Sequence, residues 1–426
     1  MSSDQPSGAQ PDVMSGLSRR RFLQASAFAG FAAFLAACGT SGSSEPAPTT
    51  SIPTPPPSSL TPAASPTPLP KPTGPLQFAN WEAYIDQKDP SDPKTGVLPA
   101  GSSPTIENFK KKYNVDVNYV EKINDNEEFY ALIQPQLATN LPTGWDLIAM
   151  TDWMAARLIS KGWIEKIDQG NVPNCVKNLR DPLRNQTWDP GNDYHYPWQT
   201  GMTGIGYDTG ALQAAGKAAP KAIRDLYALP PKKVTFLTES RDTFGLGLLK
   251  LGKSADPALT TVEDLQAVHD EIKPLADQGL RFTGNEYLQD FASHKVWAAM
   301  VWSGDLASSA EATQVFVFPE EGCMVWTDNM MIPKGAANKY TAELMMNYVY
   351  DPPVAAQIEN YVYYVSPVNG VEEIIKQLNA SAPLDDAHLA LLFPSADIIA
   401  KQHNFQFLNP DVDAKLKELF LDLTGA

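Results

Sequence analysis

This sequence predicts an α/β fold built as two lobes. Strand-like and helix-like segments alternate from Leu76 onward at the spacing of a parallel sheet with helical crossovers. About 350 residues of globular composition follow Leu76, more than one hydrophobic core usually organises. The strand-like segments end in aromatic or acidic residues, at the edge where open α/β sheets hold ligands.

Leu76–Asn80 reads as a short buried strand ending at Trp81. Residues 86–105 carry four Pro and two Gly and read as a surface loop. A helix is expected over Ile106–Tyr113, then an alternating strand over Val115–Tyr119. Glu127–Ala138 reads as helix despite Pro135, and Trp145–Met150 as the next strand. A second set opens with strands at Gly204–Tyr207 and Val234–Leu237. Helices follow at Thr243–Leu251 and Val262–Ala276, the latter introduced by a capping box of Thr261 and Asp264. Strands are expected at Val296–Trp302, Gln314–Phe318 and Met324–Ile332. Helices close the chain at Tyr340–Tyr350, Pro353–Asn360, Val371–Leu378 and Asp411–Leu423. No internal repeat or extended heptad pattern is present.

The segment before the globular part carries a different signal. Arg19, Arg20 and Arg21 precede an apolar run that ends at Cys38 and is too short for a membrane span. The Ser-Arg-Arg-x-Phe-Leu pattern resembles a twin-arginine export signal, and Leu35-Ala36-Ala37-Cys38 resembles a bacterial lipobox. The expectation is a signal peptide over 1–37, exported by the twin-arginine or general secretory route. Cys38 then carries lipid at the outer face of the membrane. Residues 38–75 are rich in Gly, Ser, Thr and Pro and nearly chargeless, so they read as a tether, stiffened at Thr54-Pro55-Pro56-Pro57.

A net charge of -16 argues against a nucleic-acid-binding surface and is compatible with cationic ligands. Five scattered His show no close metal-ligand spacing. With Cys38 assigned to lipid, Cys175 and Cys323 remain, either paired or buried and free.

From Asn80-Trp81-Glu82-Ala83-Tyr84 onward the chain resembles the bacterial spermidine/putrescine-binding proteins of ABC transporters. The likeness continues through Thr151-Asp152-Trp153-Met154, Thr238-Glu239-Ser240-Arg241-Asp242 and Leu249-Lys250-Leu251-Gly252. It extends through Met300-Val301-Trp302-Ser303-Gly304-Asp305, Phe318 to Gly322, Val325-Trp326-Thr327-Asp328 and Tyr364-Val365-Ser366-Pro367. It covers nearly all of residues 76–420, and its strength lies in order and spacing rather than in any one piece. The resemblance implies a periplasmic-binding-protein-like fold, with two α/β lobes joined by crossover hinge strands and a ligand cleft between them. Carried over, lobe 1 is 76–199 plus 327–370 and lobe 2 is 200–326 plus 371–426. It implies an ABC permease as partner, no cofactor and no catalytic residue.

A linear polyamine is an apolar chain carrying separated ammonium groups, so its site needs carboxylates for the charges and rings along the methylenes. The resemblance places Trp81, Tyr84, Trp153, Trp302, Trp326 and Tyr364 on the cleft walls and Glu239 and Asp328 against ammonium groups. Thr151 adds a hydroxyl acceptor and Gln406 an amide oxygen. Each has a plainer alternative. A tryptophan is often core, Glu239 precedes a helix and could cap it or pair with Arg241, and Gln406 could be surface. Asp305 reads either as solvated or as supporting the site from behind. Trp326 and Asp328 alternate on one strand and therefore share a face. Trp153 stands where relatives commonly carry tyrosine, and Glu239 where aspartate is common, so amine selectivity can differ.

Two other readings stay open. The same fold could hold a sugar, amino acid, opine or iron complex, with Tyr361, Tyr363 and Tyr364 as metal candidates. An exported glycoside hydrolase would use paired carboxylates across the cleft, but no Gly-x-Ser-x-Gly, His-Glu-x-x-His or phosphate-loop motif is present.

Overall fold

A computed structural model describes residues 70–88, 102–307, 313–379, 384 and 386–425. The export-like segment 1–37, Cys38 and the tether as far as residue 69 lie outside the described residues, as do residues 89–101 of the expected loop. Among the described residues no helix is long and apolar enough to cross a membrane.

One mixed sheet of ten strands organises the chain: β1 (Leu76–Trp81), β2 (Val117–Ile123), β3 (Leu147–Thr151), β4 (Tyr196–Asp208), β5 (Val234–Leu237), β6 (Arg281–Thr283), β7 (Ala298–Trp302), β8 (Gln314–Val317), β9 (Cys323–Met331) and β10 (Gln402–His403). Its order is β2-β1-β3-β9-β4-β7-β5-β6, with β8 beside β4 and β10 beside β9. The two ends of this sheet are the two lobes. In the first, β1 pairs parallel with β2 and β3. In the second, β5 pairs parallel with β6 and β7. Between them β4 and β9 run antiparallel to each other, β9 against β3 and β4 against β7. These two strands carry the chain from lobe to lobe.

Local chemistry explains most elements. The helix Asn126–Ala138 connects β2 to β3, and Ser240–Lys250 with Val262–Asp277 connects β5 to β6, as parallel pairing requires. The capping box at Thr261 forms: its hydroxyl accepts from Asp264 N at 3.2 Å, and Asp264 Oδ2 accepts from Thr261 N at 3.0 Å. Such caps are worth about 1 kcal/mol. Every residue of β3 and β7 is buried, the pattern of central strands covered on both faces.

The main departure is β4, thirteen residues where only Gly204–Tyr207 reads as strand. Pro197 and Gly201 mask the rest, and pairing with β9 on one side and β7 and β8 on the other overrides their low strand propensity. Pro197 sits at the irregular register between Pro197 and Gln199, where a missing ladder donor is tolerated. Strand β2 is displaced C-terminally from the expected Val115–Tyr119 because its register with β1 begins at the Leu76–Val117 pair. Cys175 and Cys323 are both buried and free.

Candidate functional site

The C-terminal ends of β1, β3, β5 and β7, together with β9, surround one cavity between the lobes, enclosing about 470 Å³ with its open mouth. All ten sequence-predicted residues line it: Trp81, Tyr84, Thr151, Trp153, Glu239, Trp302, Trp326, Asp328, Tyr364 and Gln406. So do Glu82, Arg241, Asp242, Asn285 and Asp305.

The aromatic wall is a chain of edge contacts. Ring centroids are 5.8 Å apart for Trp81 and Trp302, 6.4 Å for Trp302 and Trp326, 5.6 Å for Trp326 and Tyr364, and 5.1 Å for Tyr364 and Tyr84. Each indole N–H is tied back into the protein. Trp81 Nε1 donates to Ala149 O at 3.0 Å, Trp302 Nε1 to Asp242 Oδ2 at 3.0 Å, and Trp326 Nε1 to Thr203 Oγ1 at 2.9 Å. What these rings offer the cavity is therefore π surface, suited to methylene chains and cations.

Two glycines seat that wall. A Cβ on Gly201, directly opposite Trp326 in the β4–β9 register, would lie 2.4 Å from the Trp326 ring and 2.9 Å from Tyr364. A Cβ on Gly304 would lie 2.5 Å from the Tyr364 ring. Both the strand at Gly201 and the short helix Ser303–Ala307 at Gly304 need glycine so that the rings can approach the backbone this closely.

The acids form a linked set. Thr151 Oγ1 donates to Asp328 Oδ1 at 2.7 Å. Asn126 Nδ2 donates to Thr151 Oγ1 and to Glu239 Oε1, both at 2.8 Å, and Asn126 N donates to Glu239 Oε1 at 2.7 Å. A line of polar contacts thus runs from Asp328 through Thr151 and Asn126 to Glu239, across the gap between lobes. Glu239 occupies the N-cap position of Ser240–Lys250, but its carboxylate makes no capping bond, and Arg241 pairs with Asp413 instead. Neither plainer role for Glu239 holds. Asp305 is buried and accepts from the Tyr364 hydroxyl at 2.6 Å and from the Tyr287 hydroxyl, so it is not solvated surface. Gln406 is buried as well, and among the described residues its Oε1 finds no hydrogen-bond partner.

Five carboxyl groups thus meet one guanidinium around the cavity, and burial makes their ionisation costly. Asp328 is pushed up to about 7 by burial, with the charge of Asp242 adding and the Thr151 hydroxyl opposing. Asp242 and Asp305 are each pushed up to about 6, again chiefly by burial. Glu239 rises well above the usual carboxylate range through burial and then the charge of Asp125. Burial, and then the charge of Asp328, raises the Tyr84 hydroxyl well above its ordinary value. The arrangement favours a guest that brings positive charge.

Sequence reasoning missed Asp242 as a lining acid, although the Trp302-to-acid contact needs a carboxylate three residues beyond Glu239, near one helical turn. It missed Asn126, which has no motif signal and gains its role from reaching across lobes. The tyrosine run divides: Tyr364 lines the cavity, while Tyr363 is buried in a left-handed conformation (φ 59°) at the end of the helix Pro352–Val362. Among the described residues no group of three or more His, Cys, Asp and Glu is placed to hold a metal.

Comparison with known proteins agrees with this geometry. The chain is 28% identical over 332 residues to the spermidine/putrescine-binding periplasmic protein of Salmonella typhimurium, covering 76% of this chain and 85% of that one. It is 27% identical over 360 residues to the putrescine-binding periplasmic protein PotF of Escherichia coli, covering 79% and 88%. The solved spermidine/putrescine ABC transporter substrate-binding protein PotD of Streptococcus pneumoniae has the same fold, with a TM-score of 0.60 at 22% identity, covering 82% of this chain and 98% of that one. The profile of the bacterial extracellular solute-binding protein family matches residues 105–382, well over half the chain. The chain belongs to that family of bacterial extracellular solute-binding proteins, non-catalytic binders that work outside the cytoplasm with an ABC permease.

Proposed function

We propose that this protein captures a linear polyamine, putrescine or spermidine, and delivers it to an ABC permease. The carrying observation is the cavity's make-up: ring faces in series, with separated carboxyl groups that burial leaves short of compensation. An ammonium group loses much hydration on entering such a site, and a buried carboxylate returns it as a charge-assisted hydrogen bond. Asp328, Glu239, Asp242 and Asp305 take the ammonium groups. Trp81, Trp302, Trp326, Tyr84 and Tyr364 flank the methylenes, and Gln406 Oε1 accepts from a terminal amine. The printed names of relatives, spermidine/putrescine-binding and putrescine-binding, support the same class.

In this reading, lobe 1 (76–199 plus 327–370) and lobe 2 (200–326 plus 371–426) close on the ligand by bending of β4 and β9. Lipid on Cys38 holds the protein at the membrane, with residues 38–75 as its tether. Labelling with a fatty-acid analogue that persists in Cys38→Ser would remove the anchor from the account.

A thermal-shift screen of the full chain against diamines, triamines, sugars and amino acids tests the ligand class. A ligand at 100 times its Kd stabilises by about 2.7 kcal/mol, so selective stabilisation by putrescine or spermidine is expected. Stabilisation by sugars or amino acids with none by amines would overturn it.

A further inference from the structure

One cluster of charges at the cavity edge plays no part in the ligand argument. Arg157, on the helix Asp152–Ser160 of the first lobe, donates from Nη1 to both carboxylate oxygens of Glu127 at 2.8 and 2.9 Å. Its Nη2 reaches Asp413 of the C-terminal helix Pro410–Thr424 at 3.4 Å. That helix packs on Ser240–Lys250 and Val262–Asp277, in the second lobe. Lys417, one turn further along it, pairs with Glu127 at 3.0 Å and with Asp413 at 3.3 Å. Arg241 completes the set through its own contact with Asp413. Two of these ion pairs, Arg157–Asp413 and Lys417–Glu127, cross from one lobe to the other.

The same cluster touches the cavity wall. The Arg241 guanidinium lies 3.6 Å from the Trp153 ring centroid, and that of Arg157 lies 4.7 Å from it. Arg241 Nε also donates to the backbone carbonyl of Gln406 at 3.0 Å. Trp153, Arg241 and Gln406 all line the cavity, and Arg241 is almost fully buried. Against the desolvation of partial burial, the Arg241, Lys417 and Arg157 charges hold Asp413 below its ordinary carboxylate value.

We infer that Glu127, Arg157, Arg241, Asp413 and Lys417 form an interlobe ionic latch, with Arg241 as its positioning residue. Closing the lobes completes the latch, and the latch sets Trp153 and Gln406 at one end of the cavity. Closure then carries an electrostatic contribution independent of which solute is bound. The crossing pairs are partly exposed, with side-chain exposures of 18 to 39%, so salt screens them. At about 0.2–1 kcal/mol for each such pair, losing both shifts the open-to-closed ratio by roughly fivefold.

The test measures lobe separation without any ligand. Spin labels go on Lys111→Cys in the first lobe and Glu263→Cys in the second, both exposed positions, in the full chain with Cys38→Ser. Pulsed dipolar spectroscopy at about 20 mM and about 0.5 M salt reads the distance distribution. The latch predicts that the ratio of short-distance to long-distance populations falls by up to about fivefold at high salt. Asp413→Asn combined with Glu127→Gln, which removes both crossing pairs, should show that loss already at low salt with little further salt response, and Asp413→Asn alone should show part of it. Lys415→Gln, on the same helix but paired within it to Glu418 at 2.8 Å, should behave as the parent. A parent distribution that ignores salt, or Asp413→Asn and Lys415→Gln that behave alike, would overturn the latch. Neither result depends on whether polyamines bind.

Discussion

Acidification from pH 8 to pH 5 should weaken polyamine binding roughly 100-fold through Asp328 alone. In the ligand-free cavity burial pushes this carboxyl up to about 7, and an ammonium guest pairs only with its ionised form. The guest's amines stay protonated throughout, since alkylammonium groups titrate near pH 10. At pH 8 the carboxyl is already ionised and binding bears no cost of deprotonation. At pH 5, about two pH units below its pKa, deprotonation costs about 2.7 kcal/mol, or roughly 100-fold in affinity. Asp242 and Asp305, each pushed to about 6, add about tenfold apiece at pH 5 if they also ionise on binding. The contribution of these three carboxyls should therefore level off near pH 8, bend below 7 and steepen below 6. Calorimetry with spermidine, repeated near pH 6.5 in two buffers of different ionisation enthalpy, should detect release of on the order of one proton per ligand. Asp328→Asn should bind about 2–3 kcal/mol more weakly at pH 8, the loss of a charge-assisted bond, and its profile should lack the bend near 7. Affinity that is flat from pH 5 to 8 with no proton released, or a variant tracing the parent profile, would refute the reasoning.

Ligand-free stability should follow the opposite course. The folded-state pKa of Asp328, about 7, exceeds its ordinary value of 3.8, so the folded state holds the extra proton between these values and stability falls as pH rises through them. The full loss from this group is about 4 kcal/mol at 1.36 per unit. Denaturant titrations should find the ligand-free protein more stable at pH 5 than at pH 8, with the difference reduced in Asp328→Asn. Gly201→Ala should cost about 1–3 kcal/mol of stability and displace Trp326, whose ring would lie 2.4 Å from the new Cβ; calorimetry should show spermidine affinity falling further than stability. Asn126→Ala removes one of the two donors to Glu239 Oε1, the side-chain amide, and keeps the other, the backbone N–H, so calorimetry should show a loss of about tenfold rather than abolition.

Much of this site was legible because ligand-lining residues lie on short, strongly patterned segments. Trp326 and Asp328 alternate on β9, so one face carries both. Trp81, Thr151, Glu239 and Trp302 fall at or just past the C-terminal ends of β1, β3, β5 and β7, where an α/β sheet opens. Less legible were features made by partners distant in sequence. Arg241 is indistinguishable from an ordinary helical arginine until Asp413, 172 positions away, is placed against it. Asn126 and Glu239 meet across 113 positions. The length of β4 was hidden because Gly201 and Pro197 lower strand propensity, while the same Gly201 admits the Trp326 and Tyr364 rings. The helix Ser240–Lys250 is buried from Arg241 to Leu249, polar residues included, so its start was obscured by charges that serve the cavity and the latch.

The most direct test of the central claim is a crystal structure of the protein grown with spermidine. Ligand density between the lobes is expected, with an ammonium nitrogen within about 3 Å of an Asp328 oxygen and methylenes against Trp302 and Trp326. Density elsewhere on the surface, or a cavity with Asp328 contacting only Thr151 in the presence of saturating amine, would contradict the account.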